Sequence, residues 1–157
     1  MEHLKPTQVV YQVKNRLVKK RYKPYEAPKH DRVRLSTEPI PWFKGVEGNT
    51  FTFLNLSHDF SDWNFVGHGT LWTYNLNYFD FLNQESRVEG QESNGESVGI
   101  SAEEGRRWID RFIQDRPTIT WGMDPYPIAL RCINWIKFFD RHPECATQER
   151  ENSLYSQ

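Results

Sequence analysis

Apolar residues recur every three to four positions along most of this chain, and that rhythm predicts its elements. Residues 6 to 21 carry Val9, Val10, Val13 and Leu17 at helical spacing, with Pro6 suited to a first turn. Lys14, Arg16, Lys19, Lys20 and Arg21 make the end of that helix basic, which complements its C-terminal dipole. A solvated helix end is the simpler reading of this charge, and an anionic-ligand patch the alternative. Residues 22 to 49 contain Pro24, Pro28, Pro39, Pro41, Gly45 and Gly48, so they predict an extended arm lying against the rest of the chain. Residues 50 to 56 predict a short strand or extended segment with Phe51, Phe53 and Asn55 on one side.

The pattern over 70 to 83 predicts a helix, with a strand as the alternative. Its apolar face is Leu71, Trp72, Tyr78, Phe79 and Leu82, with Asn75 inside that face and Thr73, Asn77, Asp80 and Gln84 opposite. Residues 84 to 99 are nearly devoid of apolar side chains and predict a mobile surface loop. Ser101 followed by Glu104 is a capping-box pattern, and Trp108, Ile109, Phe112 and Ile113 give the helix behind it an apolar stripe that ends at Pro117. Asp124 and Pro125 suit the cap and first position of the next helix. That helix is apolar nearly all round from Ile128 to Phe139, which predicts a central position, and His142-Pro143 stops it. The expectation is a mainly α protein with irregular, aromatic-rich connections. It forms a single domain, with residues 1–49 as helix and arm and 50–157 as the packed body.

A chain of 157 residues can bury one modest core. Aromatics make up 15% of it against 26% charged residues, so the large rings must be concentrated in clusters within a polar chain. The formal net charge of −1 gives no reason to expect nucleic acid or membrane as a partner. No apolar run approaches the roughly 20 residues of a membrane span. The N-terminus has no apolar centre of a signal peptide, which predicts a cytoplasmic protein. Of the two cysteines, Cys132 reads as a small apolar residue in a helix, with a Cys132–Cys145 bridge as the alternative. The five histidines have no ligand spacing and there is no phosphate-binding glycine loop, so neither a metal nor a cofactor is expected. His68, between Gly67 and Gly69, is the one histidine close to the first aromatic block, and a solvated loop position is its simpler reading. Ser57-His58-Asp59 is contiguous, which is not how a catalytic triad is assembled.

Two blocks carry the candidate chemistry. One runs from Leu71 to Leu82, the other from Trp121 to Phe138, and both mix large aromatics with Asn, Tyr and Arg. Polar groups among buried aromatics must be hydrogen-bonded or must await a ligand. Arg131 and Asn134 are one turn apart and therefore neighbours. Their structural reading is an ion pair of Arg131 with Asp80, Asp110 or Asp124 and an Asn bonded to backbone. Their functional reading is a cleft that grips an acidic sugar, because the planar guanidinium fits a carboxylate bidentately. Asn75 poses the same choice. Trp72, Tyr74, Tyr78, Trp121 and Tyr126 are candidates for stacking on sugar rings. Trp121 and Tyr126 are the better ones, since they flank Gly122 and two prolines at a loop and helix start.

Written as LWxYNLxYFDxL and WxxxPYPxxLRxxNWIKF, these blocks resemble the N-terminal domain of heparinase II/III-type polysaccharide lyases. The resemblance spans roughly residues 4 to 139 and includes the opening Leu4-Lys5-Pro6-Thr7-Gln8-Val9-Val10-Tyr11. It implies the N-terminal part of an incomplete (α/α) toroid with an extended proline-rich arm. It also implies an acidic polysaccharide as partner, cleaved by β-elimination in the parent protein. Many members are exported, which makes the periplasm the alternative compartment. In the family an Asn-His pair and a later tyrosine do the chemistry, downstream of the second block, and a β-sandwich follows. This sequence holds none of these, so no catalytic residue is assigned within it and the missing C-terminal part is an expected partner. Members commonly carry His where this chain has Asn77. The residues implied to bind substrate are Asn75, Trp121, Tyr126, Arg131 and Asn134. A non-catalytic carbohydrate-binding or interaction module is the competing expectation.

Overall fold

A computed structural model describes residues 6–17, 23–31, 34–35, 45–86 and 98–157. The protein is mainly helical, with a small antiparallel sheet. The elements are α1 (Pro6–Leu17), β1 (Val46–Glu47), β2 (Thr50–Phe53), β3 (Leu56–Asp59), α2 (Thr70–Tyr78), β4 (Glu85–Ser86), β5 (Val98–Gly99), α3 (Ala102–Asp115), α4 (Pro125–Arg141) and α5 (Gln148–Tyr155). No described helix is long and apolar enough to cross a membrane. The helix predicted over 6 to 21 is described as far as Leu17, and its end lies outside the described residues.

The sheet runs β1-β2-β3, and its alternation buries Phe51 and Phe53. Phe51 pairs across the sheet with Val46 and packs edge-on against Trp108 and Phe81, at 4.7 and 5.0 Å between ring centres. The predicted strand over 50 to 56 stops early, because Leu54 and Asn55 both take left-handed conformations (φ 54° and 61°). Two successive positive φ angles make the primed two-residue turn that matches strand twist, so Asn55 turns the corner and does not join Phe51 and Phe53. The boundary drawn at 49/50 falls in the other turn of this meander, between β1 and β2.

The helix predicted over 70 to 83 breaks at Phe79, which is left-handed (φ 62°) and fully buried. A single 3₁₀ turn, Asp80–Asn83, follows. A bulky residue there is strained by roughly 1 kcal/mol or more. Its ring compensates by stacking on Trp63 at 5.2 Å and meeting Phe112 and Trp135 at 5.2 and 5.5 Å. The break also corrects the predicted apolar face. Leu71 is exposed and Asn75 half-buried, whereas Thr73, Asn77 and Gln84 are interior. Each interior polar residue has backbone partners. Thr73 Oγ1 donates to the Phe65 carbonyl, and Asn77 Nδ2 donates to Trp63 O at 3.0 Å. The Gln84 amide accepts from Gly45 N and Val46 N at 2.7 and 2.8 Å and donates to Val46 O at 2.6 Å. Within the polar stretch 84–99 the rims pair as β4 and β5, and residues 87–97 lie outside the described set.

Helix α3 starts as its capping pattern predicts, with Ser101 Oγ accepting from Glu104 N at 3.1 Å. Helix α4 is one-sided, contrary to the prediction that it is enclosed. Pro127, Arg131, Asn134, Trp135 and Phe138 form the buried stripe, while Ile133 and Ile136 face outward. Gly105 lets the two helices meet, since a Cβ there would stand 2.3 Å from the Phe138 ring. Helix α5 is tied to α3 by a bidentate Arg150–Asp110 pair at 2.6 and 2.8 Å. The arm lies on α5 and α4: Tyr25 N donates to Ser156 Oγ, Ala27 N to Asn152 Oδ1 and Leu35 N to Asp140 Oδ1, at 2.7 to 2.8 Å.

Candidate functional site

The surface between α2 and the start of α4 is aromatic. Tyr74 and Tyr78 are one turn apart on α2, with ring centres 6.5 Å apart. The turn before α4 brings Trp121 to 6.2 Å from Tyr74, and the first turn of α4 brings Tyr126 to 5.8 Å from Tyr78. Trp121 is 36% exposed and Tyr126 66%. The Tyr74 hydroxyl donates to Asp124 at 2.9 Å, so Asp124 occupies the cap position of α4 without capping it through its side chain. That bond holds the Tyr74 phenol above its ordinary pKa, and burial does the same for Tyr78. These two phenols therefore stay neutral at physiological pH, and together with Trp121 and Tyr126 they offer a ridge of edges and faces with hydroxyls at its border.

Two residues hold Trp121 in place. Asn64 Oδ1 accepts from Thr120 N and Trp121 N at 2.8 and 3.1 Å, and its Nδ2 donates to Thr118 O at 3.0 Å. Gly122 has φ +70°, and a Cβ there would lie 2.4 Å from Asn77 Cβ. The turn can approach α2 only because this residue lacks a side chain. Asn64 carries no sequence signal that marks this role. It precedes neither a glycine nor a helix, and its partners are more than fifty residues away.

Of the residues predicted to bind substrate, Trp121 and Tyr126 come together on this ridge. Asn75 turns back on its own helix, with Nδ2 donating to Leu71 O at 2.8 Å. Trp72, another stacking candidate, is interior and donates to Leu56 O at 2.9 Å. Arg131 and Asn134 lie beneath the surface and serve the broken end of α2. The last carbonyls of a helix have no partner within it. Here Arg131 Nη1 donates to Asn77 O at 3.0 Å and to Gly122 O at 3.2 Å, and Asn134 Nδ2 donates to Tyr78 O at 2.9 Å. Asn134 also donates to Asp80 Oδ1 and accepts from Asn83 at 2.6 Å.

The carboxylates considered as ion-pair partners for Arg131 are engaged elsewhere: Asp80 with Asn134, Asp110 with Arg150, Asp124 with Tyr74. The guanidinium instead meets the negative end of the α2 dipole and stacks 4.5 Å from the centre of Phe112. Burial without a carboxylate pushes Arg131 down to about 9.

His58 and His68 sit apart from this ridge, with Phe65 and Trp72. His58 stacks on Phe65 at 3.7 Å, and the two imidazoles are 5.6 Å apart. Among the described residues no group of three or more His, Cys, Asp or Glu side chains is placed to hold a metal. Both cysteines are free. Cys145 is buried, donating to Ala102 O at 3.6 Å, and Cys132 is half-buried. No family model, curated protein or solved structure matches the chain.

Proposed function

We propose that this chain is the N-terminal portion of a heparinase II/III-like polysaccharide lyase and forms a wall of its sugar cleft. In this reading α2 to α5 are early helices of an (α/α) toroid, and the ligand is an acidic polysaccharide. The observation that carries the proposal is the half-exposed aromatic ridge of Tyr74, Tyr78, Trp121 and Tyr126, pinned by Asn64 and Gly122. Aromatic faces stack on the C–H faces of pyranose rings, and the tyrosine and Asp124 oxygens suit ring hydroxyls. The residues that would neutralise a uronate and remove the adjacent ring proton belong to another part of the parent protein, because this sequence contains no Asn-His pair.

One observation favours a second reading, a non-catalytic carbohydrate-binding module. Arg131 and Asn134 lie beneath the surface and bond the carbonyls at the end of α2, so the ridge has few ionisable groups of its own.

Affinity electrophoresis of the chain in gels containing heparan sulfate, hyaluronan or alginate tests the shared premise. Retardation by at least one, lost in Trp121→Ala together with Tyr126→Ala but kept in Leu71→Ala, is the expected result. Equal mobility in all gels sinks both readings. Eliminase activity of the chain, followed through the ultraviolet absorbance of unsaturated uronates, is expected to be absent. Turnover by the chain alone would overturn the assignment of the chemistry to other residues.

A further inference from the structure

An apolar groove of about 960 Å³ lies between the arm and the α4–α5 pair, on a face distinct from the aromatic ridge. Ala27, Leu35, Cys132, Ile136, Phe139 and Leu154 line it. Gln157 lines it as well, and the Gln157 amide oxygen accepts from Arg131 Nε. Nε and Nη2 form the edge of a guanidinium that fits a carboxylate with two parallel bonds. In Arg131 that edge is half used. Nη2 is buried without a hydrogen-bond partner, and so is Gln157 Nε2 on the other side of the contact. The Gln157 oxygen bonds Nε and not Nη2, and its own NH₂ group adds a further unmatched donor. Arg131 itself is completely buried.

From the half-used donor edge behind the wall of an apolar groove, we infer that the groove binds an amphiphilic monocarboxylate of the fatty-acid class. Its carboxylate displaces the Gln157 amide and takes Arg131 Nε and Nη2, and its chain lies along Ile136, Phe139 and Leu154. Nη1 stays on Asn77 O and Gly122 O, so the α2–α4 contact is kept. The groove has the volume of a small-molecule site, and its walls offer little to a sugar. His30, Asp31, Arg34, Asp140 and Glu151 border the groove with charges of both signs, so burial of the apolar tail carries the affinity beyond the Arg131 contact and a short acid gains little. The inference does not depend on the ridge binding sugar.

Cys132 reports occupancy from within. The full chain is incubated with iodoacetamide and increasing decanoate, and alkylation of Cys132 is followed by peptide mass spectrometry with buried Cys145 as the internal reference. Saturable protection of Cys132 is expected, with decanoate at least about tenfold more effective than decanol or decylamine and acetate without effect, the factor for one charge-assisted contact. Gln157→Glu fills the donor edge internally and is expected to abolish the preference for decanoate over decanol. Gln157→Ala, which opens the edge, is expected to tighten decanoate binding. Equal protection by decanoate and decanol, or a decanoate preference unchanged in Gln157→Glu, overturns the inference. Absence of protection by any of the probes overturns it too.

Discussion

Gln157→Glu is also a stability experiment, and its size can be worked from the contact itself. The Arg131 guanidinium has already lost its water, and its Nε–Nη2 edge meets one neutral oxygen. Replacing the amide with a carboxylate supplies a second acceptor and a counter-charge and removes the unmatched NH₂. A hydrogen bond to a charged group contributes about 1.5–3 kcal/mol net. The new carboxylate must itself be desolvated, but position 157 is only half-buried, so this offsets part of the gain. A stabilisation of about 1–2 kcal/mol at pH 7 is expected, or a rise in melting temperature of roughly 2–8 °C for a chain of this length. The pH dependence has a definite sign. The introduced carboxylate has its folded pKa lowered by Arg131, so its contribution is complete above the unfolded value of about 4.3 and is lost as pH falls through the folded one. Thermal melts followed by near-ultraviolet circular dichroism at pH 7 and at pH 3.5 measure both effects. A variant that melts at or below the parent at pH 7 refutes the reasoning. So does a difference that persists undiminished at a pH where the carboxylate is protonated.

Gly122→Ala combines a positive φ with a Cβ 2.4 Å from Asn77 Cβ, so a loss of roughly 2–4 kcal/mol is expected in urea unfolding; a loss under 1 kcal/mol contradicts the close approach. Leu54→Asn with Asn55→Gly gives the β2–β3 turn residues that tolerate positive φ, and a gain of about 1 kcal/mol is expected by the same measurement. The His142 imidazole is held below its ordinary pKa, first by burial against Phe138 and then by Arg141, while Glu144 and a backbone bond to Ile100 pull it upward. The unfolded state therefore binds the proton first, so stability is expected to fall as pH drops from 7 through the unfolded value of about 6.5 to the folded one. His142→Gln is expected to flatten that slope, and an unchanged slope would assign it to other groups.

The long amphipathic elements were legible because their burial repeats at the helical period. Trp108, Ile109 and Phe112 on α3, and Trp135 and Phe138 on α4, are interior as their spacing requires. Local punctuation was legible too: Ser101 caps α3, and Pro125 opens α4. What escaped was set by distant partners. Nothing near Phe79 signals a helix break, since the residue that usually takes a left-handed end is glycine and here it is a phenylalanine held by four other rings. Once the helix breaks there, a face drawn through residue 82 mixes two elements. Thr73, Asn77 and Gln84 look like solvent-facing positions, and they are interior with carbonyls and amides of the preceding loops and of β1 bonded to them. At the candidate site, Trp121 and Tyr126 could be singled out by the turn residues around them. The fate of Arg131 and Asn134 could not, because their partners are carbonyls freed by the unforeseen break.

Gln84 has one more consequence, for the outer edge of the small sheet. Strand β1 lies at the end of the β1-β2-β3 order, where a sheet presents bare amides and carbonyls to any passing chain. The Gln84 side chain behaves there as a one-residue strand, accepting from Gly45 N and Val46 N and donating to Val46 O. Every rung the short β1 edge could lend to a neighbour at Val46 is thereby occupied, and by a group too small to offer the next one. A primary amide thus closes this edge of the sheet from within the molecule, at the cost of one buried glutamine.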